Sequence, residues 1–267
     1  MSMRFVPACL AALVGACVDG PSDGYILRRG SDASAAPEVK LSSCEMLPAL
    51  DVEPVIDGRL EVGMAAAPFP KDAWYRDVTN DSSDRPDDVS ARWAAAHGAW
   101  GLYVFVDIDT PRVSPAAVSE PGWCGDGVEI YVDHDAAFAP NGRYDDPGTR
   151  QLLVVAPTAA GTSRRGETNR GFSGSNAPWA STSYAAFARP GGYTVEALVT
   201  TADLGLVTWS LEEGRRIGFD LGLNVSRASA AQDVACGTRL GQFFLRATTT
   251  ERPYESTLAF CAPTLTR

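Results

Sequence analysis

The sequence predicts an antiparallel β-sandwich of the jelly-roll kind, and three observations carry that prediction. Short segments alternate apolar and polar residues, glycine and proline turns separate them, and no long helical pattern is present to cross between parallel strands. At 267 residues and 45 % hydrophobic content, the chain is long enough to close one large core. A net charge of −10 leaves no basic stripe for phosphate backbones. That argues against nucleic acid or an anionic membrane surface and in favour of a neutral or cationic ligand.

The chain opens with "MSMRFVPACLAALVGAC", a short basic start at Arg4 followed by an apolar stretch too short to span a bilayer. It reads as an export signal over 1–16. The ending "LVGAC" is similar to a bacterial lipobox, which makes Cys17 the expected lipidation site. Residues 17–48, rich in Ser, Ala, Gly and Pro, read as a flexible tether. The folded domain is expected over 49–267. The predicted location is the outer membrane or cell surface as a lipoprotein, otherwise the periplasm or medium. Contact with the membrane is expected only through the lipid, and the protein is expected to be a monomer.

The strands follow in order. "DVSARWAAAHG" is ambiguous between helix and strand. "GLYVFVDID" places Leu102, Val104, Val106 and Ile108 on one side and Tyr103, Phe105 and Asp107 on the other, a pattern suited to a central strand. "GVEIYVD" sets Val128, Ile130 and Val132 against Glu129, Tyr131 and Asp133. "RQLLVVAP" is a buried apolar run. "GGYTVEALV" follows a Gly-Gly turn with Tyr193, Val195, Ala197 and Val199 in phase. "TTADLGL" offers a threonine cap for one short turn. "RIGFDLGLNV" puts Ile217, Phe219, Leu221, Leu223 and Val225 in phase.

Beyond Cys9 and Cys17, the cysteines are Cys44, Cys124, Cys236 and Cys261, with no CxxC pair and no histidine at metal-ligand spacing. Two disulfides in an oxidising compartment explain them better than zinc. Of the possible connectivities, Cys44–Cys261 with Cys124–Cys236 is favoured, because the first pair ties the start of the domain to its last strand.

The order of "VIDGRLEVG", "GLYVFVDIDTP", "PGWCGDGVEIYVDHD", "PGGYTVEALVTTADLG" and "RIGFDLGLNVS" resembles the family 9 carbohydrate-binding module and its superfamily, over roughly residues 50 to 265. The resemblance implies a β-sandwich that binds polysaccharide or oligosaccharide without cleaving it. It further implies a stacking role for Trp123 and a hydroxyl-accepting role for Glu129, with Arg150 near the position of a family arginine. The family's second stacking tryptophan has no counterpart in "TTTERPYESTLAF", where Tyr254 is the nearest aromatic. A tryptophan beside a carboxylate suits a neutral sugar, which offers an apolar C–H face and hydroxyl donors.

Clustered acids also offer oxygens for a structural calcium ion, the candidates being Asp133, Asp135, Asp145 and Asp146. A haem-binding relative of the same superfamily is the alternative, with Met46 or Met64 and His97 or His134 as axial ligands. An envelope interaction lipoprotein without sugar affinity is a further alternative. No nucleophile and base pairing stands out, so no enzymatic activity is expected.

Overall fold

The computed structural model describes residues 39–72, 74–76, 86–138, 142–144, 149–158, 161–170, 179–203, 212–227, 239–246 and 252–267. All of these belong to one compact unit, Pro37–Arg267. The export signal, Cys17 and the tether up to residue 38 lie outside the described residues, as do Asp145, Asp146 and Cys236.

In chain order the strands are β1 (Lys40–Leu41), β2 (Met46–Pro48), β3 (Met64–Ala65), β4 (Ala67–Pro68), β5 (Trp74–Arg76), β6 (Ser90–Gly98), β7 (Gly101–Asp109) and β8 (Gly127–Asp133). They continue with β9 (Arg150–Val155), β10 (Thr162–Ser163), β11 (Gly166–Arg170), β12 (Ser183–Arg189), β13 (Gly192–Val199), β14 (Gly218–Ser226), β15 (Arg239–Phe244) and β16 (Thr264–Thr266). Two six-stranded sheets form the sandwich. The first runs β10-β12-β13-β7-β6-β4 and the second β11-β9-β8-β14-β15-β5, with antiparallel neighbours throughout both.

The core lies between the sheets and is built from the in-phase residues. Leu102, Val104, Val106 and Ile108 of β7 and Val195, Ala197 and Val199 of β13 face Val128, Ile130 and Val132 of β8 and Leu221, Leu223 and Val225 of β14. The alternation that reads as strand is therefore the alternation of core and outer face.

Two expectations shift. The segment "DVSARWAAAHG" is strand, not helix: β6 pairs with β7 across nine registered residues, from Ser90↔Asp109 to Gly98↔Gly101. Its alanines have high helix propensity, but Ala95 and Trp93 serve the inter-sheet core while Ala94 and Ala96 serve a second cluster outside. Burial on both faces overrides propensity. The fold also begins ahead of residue 49. β1 pairs in parallel with β3 and β2 with β16, so residues 40–48 belong to the domain rather than to a tether.

The disulfide Cys44–Cys261 is present, with a Cα–Cα distance of 5.1 Å, and it joins residues 217 apart in sequence. It fastens the entering segment beside the closing strand. Cys124 is also disulfide-bonded, while its expected partner Cys236 lies outside the described residues.

Two motif residues prove to be structural. Gly58 of the "IDG" triplet has φ +87°, a region glycine enters at little cost. It donates its N–H to Glu196 Oε2 at 2.5 Å, and Tyr103 donates to the other oxygen at 2.6 Å. Asp126 of "GWCGDGVE" is buried and accepts from the N–H groups of Ser114 at 2.7 Å and Ser226 at 2.6 Å. Burial pushes its pKa up to about 7, against the lowering effect of those two donors.

Candidate functional site

The outer face of the second sheet collects the polar residues. Register places Glu129 of β8 beside Leu153 of β9 and Gly222 of β14, with Asn224 and Gln242 adjacent one pleat along and Gln151 beside Tyr131 one pleat the other way. Gly222 matters here for what it lacks. A Cβ there would stand 3.2 Å from Phe244 Cε1 and 3.3 Å from Tyr131 Oη, so glycine lets those rings close over the glutamate's neighbourhood.

The polar side chains form one connected row. Gln242 donates its amide N–H to Asn224 Oδ1. Asn224 donates to Glu129 Oε1 at 2.9 Å, and Gln151 donates to Glu129 Oε2 at 2.7 Å. Tyr131 donates its hydroxyl to that same Oε2. Burial, with the adjacent Glu129 carboxylate, raises the Tyr131 pKa well above its ordinary value, so this tyrosine remains a donor. At the two ends of the row, Gln151 Oε1 and Gln242 Oε1 are buried and make no hydrogen bond among the described residues. The row is thus a chain of donors pointed inward at one carboxylate, with a carbonyl oxygen left at either end.

Trp123 borders the row. It lies in the 3-10 turn Gly122–Cys124 and packs against Ala116, Cys124, Leu153 and Val155. The guanidinium of Arg239, at the start of β15, lies 5.4 Å from its ring centroid. β8 and β15 start at the same end of the sheet, so the two side chains meet there.

The turn is held from outside by a clamp on the β10–β11 connection. Arg165 donates to the carbonyls of Ala116 at 3.1 Å, Ala117 at 2.8 Å and Glu120 at 2.5 Å, and to Glu167 Oε1 at 2.6 Å. Glu167 in turn accepts the Gly122 N–H at 2.7 Å. A planar guanidinium with five donors suits this multi-point attachment.

The predicted residues separate accordingly. Trp123 and Glu129 do share a face, but Glu129 is only 2 % exposed. It organises the amide row rather than standing in solvent. Arg150 falls on the opposite side of β9, in phase with the core residues Leu152 and Val154. Its guanidinium stacks at 4.6 Å on the Trp179 ring and donates to the Asp203 carbonyl. The residue of β9 whose side chain reaches Glu129 is its neighbour Gln151, because a step of one residue changes face.

Tyr254 sits at the far end of the outer face, against Phe244 at 6.4 Å, in an aromatic cluster with Tyr131 and Phe260. Asn224 and Gln242 were not anticipated from sequence. Their signal was phase: Asn224 alternates with the core residues Leu223 and Val225.

Of the calcium candidates, Asp133 and Asp135 come together with His134, their ligand atoms within 4.8 Å of one another. Of the haem candidates, Met64 and His97 lie on opposite sides of β6. Met64 packs with Ala94 and Ala96 on the outer side of β6, whereas His97 is in phase with the core and bonds the Thr266 carbonyl at 3.0 Å.

This fold and face define a class. The sequence matches the family described as Carbohydrate family 9 binding domain-like over residues 56–241, and the chain belongs to that family. Among solved structures, it is similar to a carbohydrate binding module family 9 from Caldicellulosiruptor kristjanssonii in complex with cellotriose. The TM-score is 0.60 at 16 % identity, covering 85 % of this chain and 94 % of that one. The glucose complex from the same organism gives a TM-score of 0.57 at 16 % identity, covering 84 % and 97 %. No curated protein matches the sequence significantly.

Proposed function

We propose that this domain binds carbohydrate without cleaving it, at the outer face of the second sheet. The observation that carries the reading is the Gln242–Asn224–Glu129–Gln151 row, which among the described residues leaves an acceptor oxygen at each end, on the face that also carries the half-buried Trp123. Sugar hydroxyls are donors, and a buried carbonyl oxygen without a partner gains from meeting one. The accessible part of the Trp123 ring stacks on the apolar face of a pyranose, and Glu129 orients the amides rather than meeting solvent. Family membership supports the reading, as do the cellotriose and glucose bound in the two similar structures. Among the described residues of this face, no serine, threonine or cysteine nucleophile is hydrogen-bonded to a histidine or carboxylate base.

The protein is proposed to work as an exported monomer held by lipid on Cys17, and Cys17→Ala then moves it out of the membrane fraction.

The test of binding is a glycan array that includes cello-oligosaccharides, followed by calorimetric titration of the best glycan into wild type and Trp123→Ala. Binding by the wild type that weakens in Trp123→Ala supports the site. An array on which the wild type binds no glycan overturns the carbohydrate reading. Equal affinity of the two proteins removes Trp123 from the site.

A further inference from the structure

A second pocket opens elsewhere in the domain, at the end of the sandwich between the two sheets. It is formed where β6 starts, β7 ends and β14 ends, and it encloses about 430 Å³. That is within the range of small-molecule sites, about 300–1,000 Å³. Val89, Val113 and Val225 give it an aliphatic wall. The rest of the lining is polar and unlike the amide row, with two arginines, Arg112 and Arg227, against one acid, Asp88. In a chain of net charge −10, this is a local positive excess.

The site is built from fixed parts. Both oxygens of the buried Asp126 hold the backbone N–H groups of pocket residues Ser114 and Ser226, at 2.7 and 2.6 Å, which ties the loop after β7 to the end of β14. Thr110 accepts the Arg112 N–H at 3.4 Å and donates to the Arg112 carbonyl at 2.9 Å, shaping the turn that presents Arg112. Arg227 is paired with Asp88. The Arg112 guanidinium and the Ser114 hydroxyl have no hydrogen-bond or ion-pair partner among the described residues.

We propose that this pocket is a binding site for a small carboxylate-bearing sugar, a uronic acid, distinct from the Trp123 face. Arg112 supplies the charge-assisted contact to the carboxylate, the Ser114 hydroxyl meets a ring hydroxyl, and the valines contact the C–H face, while the Ser226 hydroxyl is engaged with the Cys124 carbonyl. The proposal is independent of the amide row, since it uses none of those side chains.

The experiment is titration of glucuronate, its neutral methyl ester and glucose into wild type, Arg112→Gln and Trp123→Ala, followed by calorimetry or by backbone amide shifts. The expected result is glucuronate binding that is equal in wild type and Trp123→Ala and weaker by about tenfold in Arg112→Gln, as for loss of a charge-assisted hydrogen bond. In the wild type the methyl ester should bind more weakly than glucuronate, a comparison that needs no variant to fold. No saturable glucuronate binding to wild type overturns the proposal. So does glucuronate binding that is lost in Trp123→Ala and kept in Arg112→Gln, and so does equal binding of acid and ester.

Discussion

Each sheet of the sandwich buries a glutamate on its outer face under a tyrosine hydroxyl, and the two glutamates have different uses. In the first sheet Glu196 accepts from Tyr103 and from the main-chain N–H of Gly58. In the second, Glu129 accepts from Tyr131 and from the side-chain amides of Gln151 and Asn224. A main-chain donor that reaches a carboxylate ties down a turn and offers nothing further. A glutamine that does the same still carries a carbonyl oxygen, which Gln151 leaves unpartnered and buried. The first arrangement uses every donor it brings; the second leaves an amide oxygen over, which the proposed function gives to a sugar hydroxyl.

The comparison breaks most sharply at Glu196. Replacement by alanine strands the Tyr103 hydroxyl and the Gly58 N–H, at roughly 1–3 kcal/mol each. In a domain of this size the melting temperature should fall by about 5–15 °C. Saccharide affinity of the folded fraction should be unchanged; a loss of affinity with no loss of stability would reverse the roles given to the two glutamates.

Trp123→Ala should show the opposite pattern. Affinity for the array-selected glycan should drop by about one to two decades, about 1–3 kcal/mol, measured by calorimetry. The melting temperature should fall less than in Glu196→Ala, because the ring is only half-buried.

Glu129→Gln is expected to lower affinity by about tenfold or less. The new side chain keeps one acceptor oxygen and presents its NH2 either to Asn224 or to Gln151 and Tyr131; the amide it meets must turn over, which turns the carbonyl oxygen at that end of the row away from sugar. A crystal structure of the variant with Gln151 and Asn224 unmoved, together with full affinity, would discard the row as a binding element.

Arg165→Gln reaches the same site at one remove. Freeing the Trp123 turn should cost a few-fold in affinity, with partial rescue by Arg165→Lys, since an ammonium keeps some carbonyl contacts but not the fork. Glucuronate affinity should be untouched.

A pH slope tests the fold apart from the proposed site. Burial raises Asp126 from its ordinary 3.8 to about 7, so between those values the native state holds a proton that the unfolded chain releases. Its contribution to stability therefore falls as pH rises from about 4 to 7 and is level above. Thermal melts across that window should slope less in Asp126→Asn than in wild type, and identical slopes would show that Asp126 does not titrate there.

Much of this was readable from the chain. The in-phase residues of β7, β8, β13 and β14 named the core because the period of two is local backbone geometry, independent of what lies opposite. Cys44–Cys261 was legible because both cysteines flank the segments that open and close the domain. The strand state of β6 was not, since alanine favours helix locally and only burial on both faces decides against it.

The site divides along the same line. Trp123 and Glu129 stand six residues apart on one short segment, and the period of two set Glu129 opposite the core residues Val128 and Ile130. Arg150 lies on the core side of β9, and Gln151, Asn224 and Gln242, which the sequence reading did not single out, share the outer face with Glu129. Their meeting depends on the register between β8, β9, β14 and β15, strands separated in sequence by up to a hundred residues and more. Packing of the inter-sheet core sets that register, and a slip of one residue would exchange every face. The sequence alone determined which residues lie on each side of a strand; the tertiary structure decided which of them touch, because contact across strands is fixed by the core and not by the chain's local geometry.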